Sequence, residues 1–136
     1  MNTWLKKALL VYLVVFCTGC RAATVSCSCG PPIKVIMNVS AYCLCEKCCG
    51  TWATKGINTK GQRITASGAT AVGFFVAAPP EYPFGTLMFI DGYNNGLPVP
   101  VLDRGGSIKG NKLDVFFPTH QEALVWGRKE LNVTIY

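Results

Sequence analysis

The sequence predicts a small, mainly β domain that closes into a barrel. Fourteen glycines and eight prolines in 136 residues favour strands joined by turns over a helical bundle. Six or seven short apolar or β-branched segments are separated by turn-forming residues. Half of the residues are hydrophobic and only 15% are charged, which excludes a disordered chain. The length allows one domain.

The first 32 residues precede the predicted domain. A pair of lysines and an apolar run at residues 8–16 are typical of a signal peptide, and the run is too short to span a membrane. The run ends in Thr-Gly before Cys20, which resembles a bacterial lipobox. We therefore expect a lipoprotein-type signal peptide at 1–19, lipidation of Cys20 and a tether at 20–32. Cleavage after Ala22 and a retained membrane anchor are the alternatives.

The domain itself is predicted to cover residues 33–136. Its one good helix is expected at residues 120–126, where Thr119 and Glu122 form a capping box and Gly127 follows the last turn. The predicted strands are residues 33–42, 64–67, 71–77, 86–90, 99–102, 113–117 and 131–135. Residues 43–50 are expected to form a cysteine knuckle and residues 51–63 a loop.

Two carboxylates are candidates for chemistry. Asp103 and Asp114 each lie at the edge of an apolar strand, and a glycine-rich loop joins them. Two carboxylates in one partly dry cleft do not ionise independently, so the pKa of one rises and that group can act as a general acid. Cleavage of a glycoside needs such an acid together with an anion. A purely structural pair remains the alternative, and the spacing alone favours it.

The cysteines have two interpretations. An exported chain usually oxidises its thiols, so disulfides are expected. A zinc knuckle is the alternative, although the spacing C-x-C-x-x-C-C is not a standard zinc-finger pair. His120, the single histidine, is expected to be exposed beside the capping box without a catalytic role. The disulfide candidates are Cys27, Cys29, Cys43, Cys45, Cys48 and Cys49.

The charge of the chain limits its partners. The formal net charge is +6. Removal of the predicted signal peptide, which contains two lysines, leaves +4, a mild basicity that suits an anionic polymer such as the cell wall. The basic residues are not interleaved with aromatic residues as a nucleic-acid platform requires, so no nucleic acid is expected. We expect no cofactor and no metal ion, and a monomer, although nothing in the sequence indicates the oligomeric state. Trp52, Tyr93 and Trp126 could stack on sugars or belong to the core.

Five motifs in order resemble the 3D domain, named for three aspartates. They are VSAYCLCEKCCG at 39–50, ITASG at 64–68, PFGT at 83–86, DRGGSIKGNKLDV at 103–115 and EALVWG at 122–127. The resemblance covers residues 34–136, and the fourth motif is its most specific part. This domain is shared by the type A murein lytic transglycosylases and by cell-wall stationary-phase survival proteins. It implies a six-stranded double-psi β-barrel in a protein of the cell envelope.

The resemblance also implies an activity. It is cleavage of the β-1,4 link between N-acetylmuramic acid and N-acetylglucosamine in peptidoglycan, with an anhydro product. The second and third family aspartates correspond to Asp103 and Asp114, whereas Ala78 occupies the position of the first. We expect Asp103 as the acid and base and Asp114 as its partner. A non-catalytic wall-binding module on the same barrel is the alternative, which Ala78 favours.

Four further residues are predicted to contact substrate. Thr65 and Ser67 could donate hydrogen bonds to it. Lys109 and Arg104 could hold acetamido or lactyl groups, or could be solvated loop charges.

Overall fold

The computed structural model describes residues 30–136, which form six strands and three short helices. The predicted signal peptide, the lipidation of Cys20, and Cys27 and Cys29 lie outside the described residues. The strands are β1 (Ile33–Tyr42), β2 (Val76–Ala77), β3 (Leu87–Ile90), β4 (Val99–Asp103), β5 (Lys112–Phe116) and β6 (Arg128–Ile135). The helices are α1 (Glu46–Cys49), α2 (Trp52–Lys55) and α3 (His120–Trp126), with a 3-10 turn at Asn94–Gly96. Among these residues, no helix has both the length and the apolar character needed to cross a bilayer.

The six strands form one sheet whose two ends meet. The strand order is β1-β5-β2-β4-β3-β6, and β6 pairs again with β1 over eight residues. The β1–β5 and β2–β4 pairs are parallel, and the other pairs are antiparallel. Closure leaves no free sheet edge, which satisfies the backbone groups of even the two-residue strand β2.

The interior of this closed sheet is the main core. On β1, Met37 and Val39 are fully buried because alternate residues of a strand point to the same face. Burying a side chain of this size contributes about 1.5–3 kcal/mol. The same face of the other strands supplies Val76, Met88, Ile90, Val99, Val101, Leu113, Val115 and Val133.

A second apolar cluster packs on the opposite face of β5 and β2. It contains Tyr42, Phe75, Ala77 and Phe116, and the rings of Phe75 and Phe116 stack with centroids 4.4 Å apart. The hydroxyl of buried Tyr93 donates to the carbonyl oxygens of Phe75, at 3.2 Å, and Phe116, at 2.5 Å. These bonds fix the ends of β2 and β5 relative to each other.

The structure confirms the mainly β class and some of the predicted elements. The strand at residues 33–42 and the helix at residues 120–126 are present with the predicted bounds. The strand predicted at 71–77 is reduced to Val76–Ala77, since Gly73 has a φ of +77° that a strand cannot accommodate. The segment predicted as a strand at 64–67 is a turn, in which Gly68 N donates to Thr65 O. One-turn helices α1 and α2 replace parts of the predicted knuckle and loop.

Candidate functional site

The strand register brings Asp103 and Asp114 to one row of the sheet. Ser40 on β1 pairs with Asp114 on β5, Asp114 pairs with Ala77 on β2, and Ala77 pairs with Asp103 on β4. Because β2 separates the two acidic residues, their Cα atoms lie about 10 Å apart, two strand spacings. The two predicted carboxylates therefore share one surface of the molecule.

A β-bulge on β4 turns Asp103 toward this surface. Val76 pairs with Val101, but the next residue, Ala77, pairs with Asp103, so Leu102 is the extra residue. Without the bulge, Asp103 would follow Val99 and Val101 into the main core, since side chains alternate along a strand. The bulge leaves Asp103 partly exposed and Leu102 packed against the second cluster.

Three donors hold the carboxylate of Asp103. Oδ2 accepts a hydrogen bond from the Tyr42 hydroxyl at 2.6 Å. Oδ1 accepts from the backbone N–H of Ala66 and of Arg104, both at 2.9 Å. Charge-assisted bonds of this kind stabilise a carboxylate and fix its orientation.

Asp114 has a drier environment. It is half-buried, and burial raises the pKa of its carboxyl above the ordinary value, against the opposing effects of Ser40 and the charges of Arg128 and Lys112. The Ser40 hydroxyl donates to Asp114 Oδ1. Asp114 can therefore hold a proton to a higher pH than a free aspartic acid.

Tyr42 belongs to the second cluster and also contacts the row of the sheet that contains Asp103 and Asp114, called the acidic row below. Its side chain is only 8% exposed, and its ring meets Phe116 edge-on. Burial, followed by the charge of Asp103 and its hydrogen bond, raises the pKa of the Tyr42 phenol. The phenol consequently stays protonated and acts as a hydrogen-bond donor.

Thr65 and Ser67 lie beside Asp103. Their hydroxyl oxygens are 2.9 Å apart, and Ser67 N donates to Leu102 O at 3.0 Å. Thr65 is only 4% exposed and also donates to Ala69 O, whereas Ser67 is exposed. Of the two predicted substrate donors, Ser67 is the accessible one.

The guanidinium of Arg104 is occupied by the protein's own backbone. It donates to Ala78 O at 3.0 Å and to Tyr82 O at 2.7 Å, and lies 4.1 Å from the Phe84 ring centroid. Arg104 thus anchors the proline-rich segment 79–84. Lys109 is exposed, and it lines with Arg104 a groove whose lining includes neither aspartate.

The position of the absent family aspartate is in the main core. Ala78 is fully buried, and its N–H donates to Asp103 O at 3.3 Å. Of the three aromatic residues considered for sugar stacking, Tyr93 and Trp126 belong to the core, whereas Trp52 is 73% exposed. Only Trp52 presents its ring to solvent.

The cysteines differ from the expectation of disulfides. Within the described residues, no disulfide joins Cys43, Cys45, Cys48 or Cys49 to another cysteine. His120, expected to be exposed, is partly buried, and its Nδ1 lies 3.4–3.8 Å from three of the sulfur atoms. Segments more than seventy residues apart in sequence therefore form one cluster.

The sequence analysis missed Ser40 and Tyr42 as members of the site. Both lie on the predicted strand at residues 33–42, two positions apart, so the period of two places them on one face. The alternation along β1 does not, however, predict its register with β5, and it is this register that places Ser40 beside Asp114.

Comparison with known families decides the classification. The family model of the 3D domain matches residues 75–136. The chain carries a 3D domain. The matched range contains β2 to β6 and both aspartates, and the motif-based resemblance to this domain is thereby confirmed. β1 and the four cysteines precede the matched range.

Two curated relatives from Bacillus subtilis (strain 168) are similar to the chain. YabE, named provisionally as a cell wall shaping protein, is 34% identical over 103 residues, which are 76% of this chain and 23% of YabE. YocH, named a cell wall-binding protein, is 35% identical over an alignment of 79 residues, and the match covers 51% of this chain and 26% of YocH. The chain thus spans about a quarter of the length of these relatives.

Among solved structures, the crystal structure of MltA from E. coli is similar to this chain. The match has a TM-score of 0.44 and 23% sequence identity, and it covers 57% of this chain and 28% of MltA.

Proposed function

We propose that this 3D domain protein cleaves peptidoglycan glycan strands, in the manner of a lytic transglycosylase. The observation that carries the proposal is the half-buried Asp114, whose pKa is raised by burial and which shares a row with Asp103. Such a pair supplies a proton donor and an anion on one surface, as breaking a glycosidic bond requires. The names of YabE and YocH support a substrate in the cell wall.

In the proposed reaction, Asp114 acts twice. Its protonated carboxyl gives the proton to the glycosidic oxygen, and the bond from that oxygen to the anomeric carbon of N-acetylmuramic acid breaks. The carboxylate then takes the proton of the 6-hydroxyl, whose oxygen bonds to the anomeric carbon. The leaving sugar ends as an alcohol, and the muramic residue as an anhydro sugar. Asp114 returns to its protonated form.

Asp103 serves in this proposal as the anion near the reacting carbon. The expectation from sequence gave the acid and base role to Asp103, and we assign the roles in the opposite order. Three donors already occupy the carboxylate oxygens of Asp103, whereas burial favours the protonated form of Asp114. Ser67, exposed beside Asp103, is the proposed substrate donor.

The proposed setting is the cell envelope. Export by the predicted signal peptide and anchoring through Cys20 would bring the domain to peptidoglycan. We also propose that the closed sheet is the double-psi barrel implied by the resemblance. Its two parallel pairs, β1–β5 and β2–β4, support that topology.

A second candidate function is a wall-binding module without catalysis. The three donors on Asp103 are also those of a structural carboxylate, and Ala78 replaces one family aspartate by a methyl group. The name of YocH, a cell wall-binding protein, fits this candidate. Trp52 would then offer its exposed ring to a sugar.

Incubation with purified peptidoglycan separates the two functions. The full chain, kept in mild detergent, is mixed with cell-wall sacculi, and released muropeptides are analysed by mass. We expect anhydro-muropeptides from the wild type, and their loss in Asp114→Asn. Asp91→Asn, which changes an exposed aspartate in a turn, is the matched control and should keep full activity.

The other outcomes are equally distinct. Reducing-end products instead of anhydro products would make the protein a hydrolase. Sedimentation with sacculi without any released product would establish the binding module. If Asp114→Asn retains activity while Asp103→Asn loses it, the assignment of Asp114 as acid and base is wrong.

A further inference from the structure

Three thiols and one imidazole converge at the end of β1. The Nδ1 atom of His120 lies 3.8 Å from Cys43 Sγ, 3.5 Å from Cys45 Sγ and 3.4 Å from Cys48 Sγ. The sulfur atoms of Cys43 and Cys48 are 3.7 Å apart. All four atoms lie within 4.8 Å of one another. This Cys43–Cys45–Cys48–His120 group is called the thiol–imidazole cluster below.

Local backbone structure positions each member of the cluster. Cys43 follows the last residue of β1, and Cys45 immediately precedes α1. The N–H groups of Cys48 and Cys49 both donate to Cys45 O, at 3.1 and 2.8 Å, which folds the segment into a tight turn. His120 is the first residue of α3, and the capping box of Thr119 fixes that helix end. The cluster is thus held by two separate elements.

We propose that Cys43, Cys45, Cys48 and His120 bind a zinc ion as a closed tetrahedral site. With Zn–S bonds of about 2.3 Å and a Zn–N bond of about 2.05 Å, tetrahedral geometry separates sulfur from nitrogen by about 3.6 Å and sulfur from sulfur by about 3.8 Å. The three sulfur–nitrogen distances, 3.4–3.8 Å, and the Cys43–Cys48 sulfur distance, 3.7 Å, agree with these values. Thiolate and imidazole are the ligands that zinc prefers in structural sites.

A disulfide explains the same arrangement less well. A disulfide needs an S–S distance of about 2.05 Å, whereas Cys43 and Cys48 stand 3.7 Å apart. It would also use two of the three thiols and would leave the third, with the imidazole, without a role. One metal ion, by contrast, explains why three sulfur atoms and one nitrogen atom converge.

Cys49 differs from its three neighbours although it lies in the same motif. Its thiol donates to Cys43 O at 3.3 Å, and its sulfur is not part of the cluster. The chain therefore provides its own matched control, since serine at position 49 would keep a hydroxyl donor.

The proposed ion would be structural. Four protein ligands leave no open coordination position, and such sites contribute directly to folding stability. The ion would tie the end of β1 to the start of α3. It would also hold the residue before Cys43, which is Tyr42, whose hydroxyl contacts Asp103. This inference is independent of the proposed cleavage of peptidoglycan.

The test is the metal content of the protein. The full chain is isolated from the cell envelope in mild detergent, under anaerobic conditions and without added reductant. Zinc is then measured by atomic emission. We expect about one zinc per chain in the wild type and in Cys49→Ser. Cys48→Ser and His120→Ala should contain almost none.

Two further measurements are made first on the wild type, where the result does not depend on how well a variant folds. Cobalt added to the metal-free wild type should give the visible bands of tetrahedral cobalt bound by thiolates. A chelator should lower the Tm of the wild type and of Cys49→Ser. It should not change the Tm of His120→Ala.

Three results would overturn the proposal. The first is a wild type with negligible zinc and no cobalt bands. The second is a mass lower by two hydrogens that maps to a disulfide among the cluster cysteines of the isolated protein. The third is zinc retained in both Cys48→Ser and His120→Ala, which would place the ion elsewhere. Each can occur with or without release of muropeptides, so the two proposals fail separately.

Discussion

The hydroxyl of Tyr42 offers a direct test of how the second cluster supports the acidic row. Tyr42→Phe removes the donor that lies 2.6 Å from Asp103 Oδ2 and keeps the ring that packs on Phe116. A hydrogen bond to a charged group contributes about 1.5–3 kcal/mol to stability. Because Ala66 N–H and Arg104 N–H still hold Asp103, we expect a loss near the lower end of this range, about 1.5–2 kcal/mol.

Urea unfolding of the full chain measures this loss. With an m-value of about 1–3 kcal/mol per molar urea, the midpoint should fall by roughly 1 M while the slope stays unchanged. Tyr82→Phe is the matched control, because within residues 30–136 the Tyr82 hydroxyl makes no hydrogen bond. That variant should change the free energy of unfolding by less than about 0.5 kcal/mol.

Two results would refute this reasoning. If Tyr42→Phe unfolds at the same urea concentration as Tyr82→Phe, the bond to Asp103 does not stabilise the fold. A loss above about 4 kcal/mol would mean that the substitution disturbs packing, since a hydrogen bond alone cannot supply it.

Three further changes test the rest of the structure. Asp114→Asn should gain stability relative to the wild type as pH rises through the raised pKa of Asp114, because burial favours the protonated carboxyl and the amide stays neutral. Urea unfolding across pH measures the difference, and each unit of pKa shift corresponds to about 1.4 kcal/mol. A difference in the free energy of unfolding that does not change with pH contradicts this prediction. Leu113→Ala in the main core should cost about 2–5 kcal/mol in urea unfolding, and a cost below 1 kcal/mol, roughly that of a surface change, contradicts its burial. Thr119→Ala removes the cap that accepts from Glu122 N and should cost about 1 kcal/mol, read as a lower Tm; an unchanged Tm would mean that the cap contributes nothing.

Local sequence patterns correctly predicted the secondary-structure elements that depend on strand propensity and on helix capping. The strand at residues 33–42 follows from β-branched residues in partial alternation, and α3 follows from its capping box and Gly127. The segment at 71–77 shows the limit of this approach. Its apolar composition predicts a strand, but the φ of Gly73 and the pairing partners of β2 restrict the strand to two residues.

The candidate site was predictable in part. The sequence singled out Asp103 and Asp114, but their partners Tyr42 and Ser40 lie 61 and 74 residues away in the chain. The order of the strands in the closed sheet decides which side chains become neighbours, and no local sequence pattern encodes that order.

The sequence by itself determined the mainly β class, the first strand, the capped helix, the 3D domain and the two candidate carboxylates, because each depends on neighbouring residues or on a contiguous motif. Only the tertiary structure decided that the bulge at Leu102 turns Asp103 outward, that Asp114 is half-buried, and that His120 meets three cysteines. The physical reason is the same in each case. Register, burial and convergence are properties of strands and helices after packing, when segments that are distant in the chain come within bonding distance.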